Sequence, residues 1–193
     1  GCNGNGGAVA TSITTAISRT AGSGTRGAFD ELVTGTDKDG NEGVALEEMD
    51  LDQTWGFSVG TTGQVVTQVA GNSSFLGYIS LGSVAANTDR IKAVQVNGKD
   101  ATVDNVKAGN YELSRPFNLI YDAEKVAGNA LASDFLAYIW SADGLEILKK
   151  EYIDVEKPAG VDAYTAGTVT SGSIYLHGST SLQPLIEELA KAY

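Results

Sequence analysis

From Ile13 onward the chain alternates short apolar runs with breaks of glycine and hydroxyl residues. ITTAIS (13–18) has the β-branched composition of a strand. It leads through RTAGSGT into residues 26–33, where Phe29, Leu32 and Val33 recur at helical spacing. TTGQVVTQVA (61–70) predicts a second helix, FLGYISL (75–81) a buried strand, and KAVQVNGKDAT (92–102) a strand ending at an Asn-Gly turn. YELSRPFNLIY (111–121) reads as extended, because Pro116 biases Arg115 away from helix. NALASDFLAYI (129–139) and GLEILKKE (144–151) each carry one apolar helical face. The periodicity then stops: DVEKPAGVDAYTAGTVTSG (154–172) reads as a linker. SIYLHG (173–178) predicts a strand, and a last helix aligns Leu182, Leu185, Ile186 and Leu189 in one stripe. Strands and helices alternating in this order predict an α/β fold.

Composition narrows the picture. A chain of 193 residues with 42% hydrophobic side chains can build a substantial core. It contains no run of about 18 apolar residues, so no membrane-spanning helix is expected, and no export leader is read at the amino terminus. A net charge of -11, with 13 Lys and Arg scattered along the chain, argues against nucleic acid as a partner. The single cysteine, Cys2, excludes an internal disulfide and a cysteine-based zinc site. It reads as a loop cysteine in the Gly/Asn-rich stretch 1–11; lipid attachment is the sharper alternative, without the apolar residues expected before it. Asp37, Asp39, Asn41 and Glu48 occupy the first, third, fifth and twelfth places of a calcium loop. Glu42 stands where that loop needs glycine to bend, so TGTDKDGNEG (34–43) is read as a polar turn, and no metal or cofactor is expected.

The chemistry lies in the breaks. Three helices are preceded by small hydroxyl-bearing residues, at 23–25, 61–63 and 179–181. The first N–H groups of a helix lack intrahelical partners and carry about half a positive charge, so an oxyanion satisfies both conditions. Ser23 and Thr25 add hydroxyls, Gly24 permits close approach, and Arg19 supplies a forked charged donor, which together predict a tetrahedral-anion cradle. One such loop alone is an ordinary helix cap; three in one chain strengthen the case. Catalysis has little support, and the chain is not read as an enzyme. His177 and Ser179 are too close in sequence for a nucleophile and base on one strand, and no orienting acid is evident. GSGTR lacks the Gly-Lys-Ser/Thr ending of a nucleotide loop. The pairs Glu47-Glu48 and Glu187-Glu188 read as solvated faces.

Four segments, SRTAGSGTRGAFDELV, TTGQVVTQVAGNSSFLGYISLGSV, NVKAGNYELSRPFNLIY and GSTSLQPLIEELAKAY, together resemble the substrate-binding protein of the phosphate ABC transporter. The resemblance covers most of 13–152 and 173–193, and implies a type II periplasmic-binding-protein-like fold of two lobes, here incomplete. It implies inorganic phosphate as ligand, held by Arg19, Ser23, Gly24 and Thr25 from one lobe and by Ser179, Thr180 and Ser181 from the other. A membrane ABC permease is the implied partner. The implied location is extracytoplasmic, at the cell surface or in the periplasm, with a lipid anchor on the full-length protein. Lobe-crossing hinge strands are expected near residues 81–85 and 93–97.

The segment order departs from the family, in which the GSTS strand and helix come first. The family segment that brings a Ser-containing loop and the aspartate of an Asp-Ile-Gly stretch is absent here, and that aspartate distinguishes hydrogen phosphate from sulfate. The expected organisation is therefore 1–86 as part of lobe II, 87–153 as part of lobe I, 154–172 as a linker, and 173–193 as the first strand and helix of a lobe I. A slice of a tandem two-module protein is preferred over a circular permutant, because 154–172 resembles an interdomain linker. The last strand is expected to fill the vacant first position in its own molecule or, by exchange, in a homodimer. A structural or interaction module that has lost its site is the alternative from another class.

Overall fold

A computed structural model describes residues 12–36, 39–45, 56–150, 160–169 and 171–193. The chain gathers into two compact units, Gly1–Ser114 and Arg115–Tyr193. The sequence-based boundary at 86/87 thus falls inside the first unit.

The first unit opens with β1 (Thr15–Arg19) and α1 (Gly24–Leu32), followed by the strands β2 (Thr34–Thr36) and β3 (Glu42–Ala45). Next come β4 (Gly56–Val59), α2 (Thr62–Gly71) and β5 (Phe75–Gly77). β1 lies between β4 and β5 and is parallel to both. Parallel neighbours require crossovers, and the chain supplies them as α1 with the β2–β3 pair, then α2. α2 packs on β1 and β5, burying Ile17, Val65 and Val66. Gly77 permits that approach, since a Cβ there would stand 2.6 Å from the Val65 side chain. β2 and β3 are antiparallel, so the polar turn read over 34–43 lies in a hairpin whose strands take up residues 34–36 and 42–43; Asp37 and Glu48 lie outside the described residues.

Two strand expectations in this unit are corrected. FLGYISL pairs only as far as Gly77, and residues 81–85 are not a hinge strand but helix α3 (Leu81–Ala85). The Ser80 hydroxyl accepts from Ser83 N–H and caps that helix, a local bond that outcompetes extension. Residues 93–97 form no named strand; their one ladder contact is the Val96–Lys99 bridge. Asn97 (φ 49°) and Gly98 (φ 74°) take the left-handed pair of angles expected for an Asn-Gly turn. α4 (Val103–Lys107) follows.

The second unit contains α5 (Ala123–Ala127), α6 (Ala130–Ile139), α7 (Ala142–Lys150) and α8 (Gln183–Ala192). Phe135, Tyr138 and Ile139 of α6, Leu145 and Leu148 of α7, and Leu185 and Leu189 of α8 form its core. The expected stripe of the last helix is therefore the packed one, with Leu182 and Ile186 at its margin. The described part of the expected linker is docked: Val161 and Tyr164 pack on this core. Asp162 O accepts from Ala142 N–H at 2.9 Å, and Tyr164 N–H donates to Asp143 Oδ2 at 2.7 Å. Residues 151–159 and 170 lie outside the described residues. SIYLHG is also corrected, because 173–178 is assigned to no strand. A strand needs a ladder partner, and among the described residues this unit offers none.

Asp134 fastens three separate segments. It accepts from the Tyr164 hydroxyl at 2.5 Å and from the Tyr193 hydroxyl at 2.7 Å, within a cluster of Phe135, Tyr138, Tyr164 and Tyr193 rings. The Tyr164 bond first, then the Tyr193 bond, holds the Asp134 carboxyl below its usual range. A depressed carboxyl pKa contributes stability above the unfolded value of about 3.9 and loses it as pH falls through the folded value. The tyrosines are pushed up, chiefly by the same bonds, so their contribution holds below about pH 10 and is lost as pH rises further. Asp134→Asn is therefore expected to flatten the acid limb below about pH 4 in urea midpoints measured against pH. An unchanged acid limb would remove Asp134 from this role.

Candidate functional site

β1 ends at Arg19 and β4 at Val59, side by side in the parallel sheet. Each strand turns at its carboxyl end directly into a helix, β1 through residues 20–23 into α1 and β4 through 60–61 into α2. Thr20 N–H donates to Val59 O at 3.0 Å, so the two turns run together beyond the last register pair. Two helix amino termini consequently stand at one edge of the sheet, the edge where parallel α/β folds place ligands. In the first turn Gly22 takes φ 82°, a left-handed conformation suited to glycine. Ser23 is the N-cap of α1, its hydroxyl accepting from Arg26 N–H at 3.3 Å.

Arg19 is 2% exposed, and its guanidinium bridges the two helix starts. Nη1 donates to Thr25 Oγ1 at 3.4 Å and to Thr62 Oγ1 at 3.2 Å, while Nη2 donates to Gly60 O at 2.8 Å. These three acceptors are neutral oxygens that orient the fork. Burial pulls the Arg19 pKa down, with the Tyr78 hydroxyl acting in the opposite sense. An arginine starts from a value above 12, so the side chain stays a cation at neutral pH. The second arginine of the motif does other work: Arg26 Nε pairs with Asp30 at 3.0 Å and Nη1 donates to Arg19 O at 3.2 Å.

The structure thus brings Arg19, Ser23, Gly24 and Thr25 together at one turn, with Ser23 and Thr25 half-buried and Gly24 exposed. It also adds residues that the sequence pattern left aside. Thr62 carries an Arg19 bond; the run of hydroxyls at 61–63 was visible, but which of the two threonines caps the helix was not. Thr61 is the N-cap and forms a capping box with Gln64, while Thr62 turns to the arginine. Tyr78 lies just past β5; its hydroxyl accepts from Arg19 N–H at 3.2 Å and lies 3.0 Å from Ser18 Oγ. Its ring stacks on Phe29 of α1 at 4.1 Å. No spacing in the sequence signals that tyrosine.

Ser179, Thr180 and Ser181 lie in the second unit and are half-buried. Their role as a direct cap is corrected. The N-cap of α8 is Leu182, which makes no side-chain capping bond, and Pro184 occupies the first turn. Ser179 Oγ instead accepts from Ser181 N–H at 3.3 Å, and Leu182 N–H returns to Ser179 O at 3.0 Å. The Ser179 hydroxyl is thus folded into a turn that precedes the helix. His177 is exposed.

The family model for the PBP superfamily domain matches residues 5–143. The chain belongs to the PBP superfamily. The first unit contributes a parallel sheet with two helix starts at its carboxyl edge. Among its relatives is a phosphate-binding protein, PstS 2, of Streptococcus agalactiae, 36% identical over 178 residues, or 92% of this chain and 56% of the relative. The PstS 2 of Streptococcus pneumoniae is 36% identical over 179 residues, with the same coverage. This superfamily member also resembles a crystal structure described as a phosphate-binding protein of a phosphate ABC transporter from S. pneumoniae. There the TM-score is 0.62 and the identity 34%, over 93% of this chain and 65% of the other. The chain spans about half the length of the curated relatives it matches.

Proposed function

We propose that this chain is a portion of an extracytoplasmic solute-binding protein that captures inorganic phosphate and delivers it to a membrane ABC permease. The observation that carries the reading is the buried Arg19 fork, fixed between the starts of α1 and α2 at the carboxyl edge of the sheet. A charged fork and two helix starts favour a compact oxyanion. The names of the relatives support phosphate in particular.

In this proposal Arg19, Ser23, Gly24 and Thr25 contact phosphate, and Ser179, Thr180 and Ser181 are further proposed phosphate contacts. Local donors of this kind reconcile an anionic ligand with a chain of net charge -11. The activity is binding and release rather than catalysis, and the proposed location is the outer cell surface or periplasm, with a lipid anchor on the whole protein.

Calorimetric titration of the 193-residue chain with phosphate, and with sulfate as control, tests the reading. Saturable heat with phosphate, and much less with sulfate, is the expected result. Equal response to both anions would reject phosphate selectivity. No heat with either would favour a structural module that keeps the fold without the activity.

A further inference from the structure

We infer that Thr62 is a positioning residue for the anion-binding arginine, a role that takes its consequence from the phosphate-binding reading. Thr62 is the first residue of α2 and is 8% exposed. Its hydroxyl is not needed to cap the helix, since Thr61 and Gln64 already form the complete capping box. Instead it accepts from Arg19 Nη1 at 3.2 Å, a shorter bond than the 3.4 Å one from the same nitrogen to Thr25. Gly60 O, two residues earlier, takes Nη2 at 2.8 Å. The Gly60–Thr62 corner therefore meets both terminal nitrogens of the guanidinium.

A guanidinium is planar, so two acceptors from one rigid corner fix its rotation as well as its place. The corner is itself held: Gln64 Oε1 accepts from both Gly60 N–H at 2.9 Å and Thr61 N–H at 3.0 Å. The result is a chain of constraint that runs from the Gln64 side chain through the corner to the Arg19 fork. Arginine has a large rotamer entropy, and ordering it before the ligand arrives removes that cost from binding. Thr62 thus raises anion affinity without touching the anion.

Two substitutions and two readouts test this. Thr62→Val keeps the shape and deletes the hydroxyl; Thr62→Ser keeps the hydroxyl. In the ligand-free protein, nitrogen-15 spectra of the Arg19 side chain should show hindered guanidinium rotation in the wild type and in Thr62→Ser, with faster rotation in Thr62→Val. Phosphate titration should then show about a tenfold affinity loss for Thr62→Val, the size of one lost bond to a charged group, with recovery in Thr62→Ser. In an Arg19→Lys background the Thr62→Val loss should vanish, because the effect passes through the fork. Unchanged rotation in Thr62→Val overturns the inference. Faster rotation with unaltered phosphate affinity overturns its role in anion capture. If the wild type binds no phosphate, the functional reading fails, and the rotation measurement alone decides whether Thr62 positions Arg19.

Discussion

If Arg19 grips phosphate as proposed, Arg19→Ala is expected to lower phosphate affinity by about 100-fold or more, the size of two charge-assisted bonds of roughly 1.5–3 kcal/mol each. The substitution also leaves Gly60 O, Thr25 and Thr62 without the donor that joins the two helix starts. Thermal melting should therefore fall as well, which makes a second variant necessary. Arg19→Lys keeps the charge and loses the fork, so affinity should drop by about tenfold while the fold is retained. Calorimetry on both variants, with far-ultraviolet circular dichroism to confirm folding, separates the site from the scaffold. Wild-type affinity in a folded Arg19→Ala protein would dismiss the site assignment.

Gly144→Val is expected to be the most destabilising single substitution in the second unit, at about 3 kcal/mol or more. Gly144 lies in the first turn of α7, where the chain doubles back from α6. A Cβ there would collide with the carbonyl oxygens of Tyr138 and Ile139 and stand 2.8 Å from the Ile139 carbonyl carbon. Those atoms are backbone, so no rotamer change relieves the clash. They also belong to a bonded corner: the Ser141 hydroxyl donates to Tyr138 O at 2.7 Å and accepts from Gly144 N–H at 3.3 Å. Leu145, next in sequence, is fully buried in the core, so movement of the corner is transmitted to the packing. Urea denaturation should show the lowered midpoint, and Gly144→Ala should fall in the same direction. A midpoint within about 0.5 kcal/mol of wild type would mean that the α6–α7 corner yields more than close packing allows.

Both predictions involve residues already present in the sequence reading, in different ways. Arg19 was identified through its spacing from Ser23-Gly24-Thr25, which is local information. The apolar period of GLEILKKE predicts a helix start at Gly144, whereas the helix starts at Ala142. What makes the glycine necessary is the approach of another helix end, and periodicity carries no trace of that. Tyr78 is the same kind of case: it stood inside FLGYISL as one more apolar residue, yet its hydroxyl meets the backbone of Arg19.

The strands that the sequence overextended show the converse. FLGYISL and SIYLHG have the composition of strands, but a strand exists only where a neighbour completes its hydrogen bonds. β5 pairs with β1 for three residues and then gives way to the Ser80 cap, while 173–178 is assigned to no strand. DVEKPAGVDAYTAGTVTSG misled in the other direction. It has no period and reads as free linker, yet Tyr164 and Val161 dock on the core and Asp134 fastens the tyrosine.

The sequence by itself determined the α/β character of the first unit, the helices with clear apolar stripes, the polar turn between β2 and β3, and the strand–turn–helix order around Arg19 and Ser23. Each of these is set by residues within a few positions of one another, where spacing, capping and turn preference act directly. Only the tertiary structure decided that Thr62 and Gly60 share the Arg19 fork, that Tyr78 supports its backbone, and that Gly144 and Asp134 secure the helical unit. Those relations join residues from 5 to 59 positions apart, as from Gly144 to Ile139 and from Tyr193 to Asp134. They arise when packing brings backbone and side chains together, and packing depends on the whole chain at once.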